Sequence, residues 1–233
     1  AQATCFVAVS ARICAASVFP AMRCTHLLLA FLACTSHGSR VQMRRFQAHG
    51  VIRNELQNRY FALRHGESEA NVEGIIVSDP AVGTVKYGLT EKGRESVRKS
   101  AEAFAAVLRD AGMPPVKVLH SDFKRTVETY RAFHDALAAA CPELVIHSYE
   151  DIRLRERYFG ELEGGPNTGY DEVWAEDQLD ASSTHRGAES AEAVQHRTRQ
   201  CVLEMESVSS EDGQPCLVVL VSHGDALQLL QTA

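Results

Sequence analysis

No apolar run in the 233-residue chain is long enough to cross a bilayer as a helix; the longest candidate, residues 26–34, is far too short. Seven cysteines are present, an odd number without close pairs, which gives neither a disulfide framework nor a zinc ribbon. Internal repeats and low-complexity tracts are lacking too. Acidic residues are absent from the first 50 positions, where five arginines (Arg12, Arg23, Arg40, Arg44, Arg45) stand without a lysine. Those five leave 19 basic residues against all 30 acids in the rest of the chain, a net charge of −11. So acidic a body lacks the basic face that nucleic acid demands. A small anionic substrate would need a local basic pocket that overcomes the general field.

Residues 1–50 are set apart by composition as well as charge. Four of the cysteines (Cys5, Cys14, Cys24, Cys34) lie there, in an Arg-bearing, Ala/Ser-rich leader of the organelle-targeting kind. "MRCTHLLLAFLAC" also has the layout of a secretory signal, and translation starting at Met22 or Met43 is a third reading. All three leave this segment out of the fold argument. The remainder, 51–233, is expected to be one domain of a reduced, intracellular type, organelle-targeted or else cytoplasmic.

In that body, short apolar runs alternate with helical patterns. Strands are expected at 58–63, 116–121, 144–148 and 216–223. Thr90 is placed to cap a helix running to about Asp110, with Val97, Ala101, Phe104, Ala105 and Leu108 on one face. A second helix, 123–140, is expected to be capped by Ser121 or Asp122. A third, from about Ala188 to Ser207, turns Ala191, Val194, Cys201, Val202 and Met205 to one side, and Asp225 opens a last one. Residues 72–88 and 150–187 read as irregular. The alternation predicts a three-layer α/β/α domain with a mostly parallel central sheet.

Parallel strands deliver their carboxyl ends to one edge, where ligands bind. The first strand ends in Arg64-His65-Gly66. Ser121 and, one turn on, Arg125 follow the second. Arg153, Arg155, Glu156 and Arg157 follow the third, and Ser222-His223-Gly224 ends the last. Arginines bind a phosphoryl group through paired hydrogen bonds and stabilise its charge during transfer. A neutral imidazole attacks phosphorus, and neighbouring arginines keep it neutral. Glycine after each histidine lets backbone approach a ligand. Glu156 is the best-placed acid for the leaving oxygen. Taken singly, each residue has a plainer reading: a structural histidine, a solvated arginine, a surface carboxylate. Metal ligation by the two histidines lacks companion carboxylates or cysteines, and arginine neighbours repel a cation.

These motifs resemble the signatures of the histidine phosphatase superfamily, first branch, the phosphoglycerate mutase-like proteins. "LRHGESEAN" is similar to the RHG motif, "HSDFKRTVET" to the second basic motif, "RLRERYFGELEG" to the acid loop, "GAESAEAV" to the next helix opening and "VVLVSHGDAL" to the final motif. The resemblance covers residues 58–230 in the family's order. It implies a phosphoglycerate mutase-like fold with His65 as a phosphohistidine nucleophile and Glu156 as proton donor. Arg64, Arg125 and His223 would form the phosphate pocket, with Asn71 and Gly224 among the substrate contacts. No metal and no cofactor are expected.

The family holds phosphatases and mutases. Residues 165–187, where glycolytic mutases carry a basic lid, hold five acids against Arg186. Phe159 stands where mutases have a substrate-contacting tyrosine, and a Phe cannot give that hydrogen bond. Ten residues follow His223, where mutases have a covering tail. A site open to water favours hydrolysis, so a phosphomonoesterase acting on a small metabolite or phosphoprotein is expected. A mutase is the alternative, because "LRERYFGELEG" is close to the mutase loop. A phosphate-binding scaffold is the second alternative.

Overall fold

A computed structural model describes residues 6–9, 56–212 and 215–233. Five strands form one sheet in the order β1-β2-β5-β3-β4: β1 (Phe6–Val9), β2 (Arg59–Arg64), β3 (Val116–His120), β4 (Ile146–Glu150) and β5 (Leu217–Ser222). The last four are mutually parallel, as the alternating pattern predicts. Strand β1 adds an antiparallel edge against β2. Its four residues fall inside the segment set aside as a leader. The rest of that segment, and with it the leader readings and the boundary at residue 51, lies outside the described residues.

Alternation along the strands sends side chains to two cores. Phe61, Leu63, Val118, Val219 and Val221 face α3 (Glu91–Asp110) and α4 (Lys124–Ala140). Tyr60, Ala62, Leu119, Val218 and Leu220 face α6 (Ala191–Asp212) and α7 (Gly224–Leu230). Two helical layers thus enclose the sheet, and the α/β/α expectation holds. Cys141, Cys201 and Cys216 are buried free thiols within or beside these cores. Among the described residues no helix is long and apolar enough to span a membrane.

Helix α3 begins as its sequence dictates, with the Thr90 hydroxyl accepting from the Gly93 amide at 3.0 Å. All five residues assigned to its inner face are buried. The expected cap of α4 is corrected. Its N-cap is Phe123, without a side-chain bond to the helix, because the Asp122 carboxylate is drawn instead to Arg155 across the sheet edge. Strand β4 lies two residues later than expected and is mostly exposed, since it is an edge strand paired on one side. Helix α6 starts at Ala191 rather than Ala188. Both stretches read as irregular contain short helices: α1 (Glu69–Glu73) and α2 (Pro80–Gly83) in and beside the first, α5 (Tyr170–Asp177) in the second.

The start of α3 is pressed against the Arg64-His65-Gly66 turn. A Cβ on Gly66 would lie 2.7 Å from the Gly93 carbonyl oxygen, and one on Gly93 would lie 2.2 Å from that of Glu67. Backbone, not ligand, is what Gly66 must admit, which corrects the reason first given for that glycine. Gly93→Ala should therefore cost about 3 kcal/mol through overpacking, read as a lowered urea midpoint with an unchanged slope.

Candidate active site

The carboxyl ends of β2, β5 and β3 continue as one ladder past their last strand residues. The His65 amide donates to the Ser222 carbonyl at 3.0 Å, and the Ser121 amide to that of Val221 at 3.1 Å. His65 and His223 are thereby fixed with ring centroids 5.3 Å apart. Arg125, from the first turn of α4, reaches between them. Its Nε donates to His65 Nε2 at 3.2 Å and to His223 Nδ1 at 3.1 Å.

This contact settles both tautomers. A guanidinium nitrogen can only donate, so the two ring nitrogens facing it carry lone pairs. The proton of His65 then sits on Nδ1, 2.8 Å from the Gly66 carbonyl it donates to. That of His223 sits on Nε2, 3.0 Å from Ser121 Oγ. Both rings are neutral. Burial, and after it the Arg125 charge, hold each well below the ordinary histidine range, with Arg64 adding to the effect. Burial likewise draws Arg125 down to about 10, against the opposing pull of Glu156, so it stays a cation at neutral pH.

An open cleft lies over His65. Arg64, Arg125, Glu156 and Asn71 line it, as the motifs predict, together with Ser68, Ala70, Ile75, Val77 and Tyr170. Arg125 gives one terminal nitrogen to the Val77 carbonyl at 3.0 Å. The other, Nη1, is buried without a partner. A buried, unpaired guanidinium N–H beside an arginine-lined cleft is what an oxyanion would satisfy. Asn71 Oδ1 accepts from the Ser68 amide at 3.1 Å as part of a reciprocal cap on α1. That leaves its amide nitrogen as the group free to donate.

Glu156 is held by two backbone amides. Its Oε1 accepts from Arg157 N at 3.1 Å and from Ala226 N, at the start of α7, at 3.4 Å. Burial first, then the nearby Asp225 carboxylate, raises its carboxyl above the usual glutamate range, with Arg125 partly offsetting this. A raised carboxyl beside a low-pKa imidazole is the division of labour that acid-assisted nucleophilic attack requires.

Several expectations need adjustment. His223 and Gly224 do not line the cleft. His223 is wholly buried and accepts from Arg125 Nε through its Nδ1. A Cβ on Gly224 would make ordinary contact with Arg64 at 3.5 Å, so close packing does not demand glycine there. Arg153, Arg155 and Arg157 do not converge on the site either, since each is bound to carboxylates elsewhere. Phe159 is wholly buried, packed with Ile76 and with Val173 of the flap formed by residues 160–187.

Sequence reasoning missed Tyr170. It begins α5 from a stretch without periodic pattern, and its ring packs edge-on to Phe159 with centroids 4.7 Å apart. Burial and Glu156 raise its phenol, so it is a neutral hydroxyl in the wall. The flap that carries it is stapled to the loop after α1. The Gly164 amide donates to the Ile76 carbonyl at 2.9 Å, and Ser78 Oγ donates to Glu163 Oε2 at 2.6 Å while accepting from Phe159 N at 3.0 Å. Ser121 was read as a strand end and candidate cap, and its signal was its place as the second residue of "HSDFKRTVET".

Comparison with known families agrees with this geometry. The model of the histidine phosphatase superfamily (branch 1) matches residues 60–233. The chain belongs to that superfamily. Among its members, the broad-specificity phosphatase YOR283W of Saccharomyces cerevisiae is 33% identical over 172 residues, 74% of this chain and 68% of the yeast protein. A 2,3-bisphosphoglycerate-dependent phosphoglycerate mutase of Streptomyces griseus is 37% identical, but over 44% of this chain and 35% of the mutase. The structure of mycobacterial glucosyl-3-phosphoglycerate phosphatase Rv2419c complexed with VO3 matches with a TM-score of 0.55. It is 27% identical, with 73% of this chain and 77% of that one covered. The superfamily stands as the motifs implied, and the enzyme class, a phosphatase, as the departures from the mutase pattern led one to expect.

Proposed function

We propose that the chain hydrolyses phosphomonoesters through a phosphohistidine on His65, without a metal. One observation carries the reading: a neutral, tautomer-fixed His65, its Nε2 lone pair shared with the Nε–H that Arg125 also gives to His223, lies beside the buried, unpartnered Nη1 of Arg125. The phosphoryl oxygens take the N–H groups of Arg64, Arg125 and Asn71. His65 Nε2 bonds to phosphorus as the ester P–O bond breaks, and the Glu156 carboxyl gives its proton to the departing alcohol. Gly66 holds the Nδ1 proton and so steadies the positive ring that forms. Water then attacks phosphorus, Glu156 takes its proton, and the P–N bond breaks to return neutral His65. The arginines supply the charge that a divalent cation supplies elsewhere. The broad-specificity yeast relative supports hydrolysis rather than transfer.

The test is phosphate release from p-nitrophenyl phosphate beside isomerisation of 3-phosphoglycerate. Release should survive a chelator, and isomerisation should be negligible. Diphosphoglycerate-dependent isomerisation that outruns release would make the chain a mutase, and loss of activity with chelator would make it a metal enzyme.

The pKa shifts fix the shape of the pH profile. Attack needs neutral His65, whose pKa is depressed, so that requirement fails only in acid well below the usual histidine value. Proton donation needs protonated Glu156, whose pKa is raised, so activity falls as pH climbs through that value. Glu156→Gln should remove this alkaline limb. It should also cut kcat by about 10²-fold or more for alkyl phosphates, and far less for p-nitrophenyl phosphate, whose leaving group needs little protonation.

A further inference from the structure

We propose that Glu163 is a positioning residue for Arg125, joined to it through the peptide group between Val77 and Ser78, and that it sets how tightly the site holds phosphate. This rests on the phosphatase reading of the site. Two of the three guanidinium nitrogens of Arg125 are engaged by the protein. Nε is shared between His65 and His223, and Nη2 donates to the Val77 carbonyl at 3.0 Å. Nη1 is left buried and unpartnered. A planar guanidinium held at two nitrogens has its third fixed as well. The Val77 carbonyl therefore decides where the free N–H groups of Arg125 lie.

Secondary structure does not hold that carbonyl, since Val77 and Ser78 lie in the irregular stretch between α1 and α2. The peptide unit is planar and trans, so its C=O and N–H point to opposite sides as one rigid body. Its N–H, on Ser78, donates to Glu163 Oε2 at 2.7 Å. One peptide group thus carries a carboxylate on its N–H and a guanidinium on its C=O. An anion at the donor and a cation at the acceptor polarise the unit in the same sense, and each bond strengthens the other. Glu163 and Arg125 form an ion pair relayed by backbone. The other contact of Oε2 is the Ser78 hydroxyl at 2.6 Å, and Oε1 is buried without a partner. Leaving a carboxylate oxygen so is costly, and a neutral acceptor would staple the flap equally well. What the carboxylate adds is charge. Burial weakens the Arg125 cation, and Glu163 is among the groups that oppose this, after Glu156 and Tyr170.

The test is the binding of inorganic phosphate to the full chain. It is read as the inhibition constant against p-nitrophenyl phosphate and as the rise in melting temperature that phosphate causes. Glu163→Ala should weaken phosphate by about tenfold. Glu163→Gln restores an acceptor without the charge and should recover part of this, to about threefold from wild type. Ser78→Ala removes the hydroxyl and keeps the peptide N–H. It should lower the melting temperature and lose much less phosphate affinity than Glu163→Ala. If alanine at 163 does not fold, Glu163→Asp, one methylene short of the Ser78 amide, carries the same expectation. Unmoved phosphate affinity in Glu163→Ala, a glutamine no better than alanine, or an equal loss in Ser78→Ala would each overturn the inference. A flap staple alone would move stability and not affinity. Failure of the phosphatase reading shows separately, as p-nitrophenyl phosphate turnover that persists in His65→Ala.

Discussion

Replacing His65 by alanine is expected to lower phosphate release by about 10⁴-fold or more, because it removes the atom proposed to bond to phosphorus. Wild type incubated with labelled substrate and denatured in alkali should carry label that acid then releases, and the variant none. Stability should change little by comparison. The ring makes one hydrogen bond of its own, to the Gly66 carbonyl, and Arg125 Nε keeps His223 as an acceptor when His65 is gone. A loss of about 1–2 kcal/mol is the scale for such a deletion. An inactive chain with a nearly unchanged melting temperature is therefore the expected pairing. Retained turnover would remove His65 from the mechanism.

The largest stability effect is expected at Arg157, which touches no substrate. Its side chain is 0% exposed and is the hub between the acid loop, the flap and α7. It donates to the Glu189 carbonyl at 2.6 Å, to Asp177 at 2.8 Å and to Asp225 at 3.4 Å, and Asp225 also accepts from Trp174 Nε1 at 3.0 Å. Alanine there strands two carboxylates and a carbonyl in low dielectric. Breaking a buried ion pair in this way costs about 3–5 kcal/mol, or about 10 °C in melting temperature for a domain of this size. Arg153→Ala is the control. Its pair with Asp151 is partly exposed at the rim, and surface pairs contribute about 1 kcal/mol or less.

The Arg157 deficit should also depend on pH. Burial already raises the Asp225 carboxyl, and Arg157 is the strongest influence opposing that rise. Without it the folded-state pKa climbs further above the unfolded one. A carboxyl so shifted binds more protons folded than unfolded, so its penalty shrinks as pH falls through the folded value. Arg157→Ala should thus lose less stability at about pH 5 than at pH 7. A deficit independent of pH would mean that packing, not stranded charge, is what Arg157 supplies.

Much of this protein is written in local pattern. Thr90 caps α3, and the apolar spacing of both α3 and α6 places their inner faces correctly, because propensity and periodicity act within a few residues. Four strand ends carrying Arg64-His65, Ser121-Arg125, Glu156 and Ser222-His223 pointed to one site, since a parallel sheet brings its carboxyl ends to one edge whatever lies between. What failed was long-range competition for side chains. Asp122 would cap α4 by its position, yet a guanidinium 33 residues away binds it more strongly than one backbone amide would. Glycine at 66 was assigned to ligand approach, and a helix 27 residues on is what needs the space.

By itself, then, the sequence determined the α/β/α architecture, the superfamily and the order of its motifs along the chain, because those follow from periodicity and from short local signatures. Tertiary structure alone decided which cations are free to act. Five arginines stood near the strand ends on paper: Arg64, Arg125, Arg153, Arg155 and Arg157. Folding left Arg64 and Arg125 to line the cleft and tied the other three to carboxylates. It also raised Tyr170 into the wall from a stretch without pattern. Pairing of charges and the pose of a flap depend on distances between segments remote in sequence, and no local signal encodes a distance.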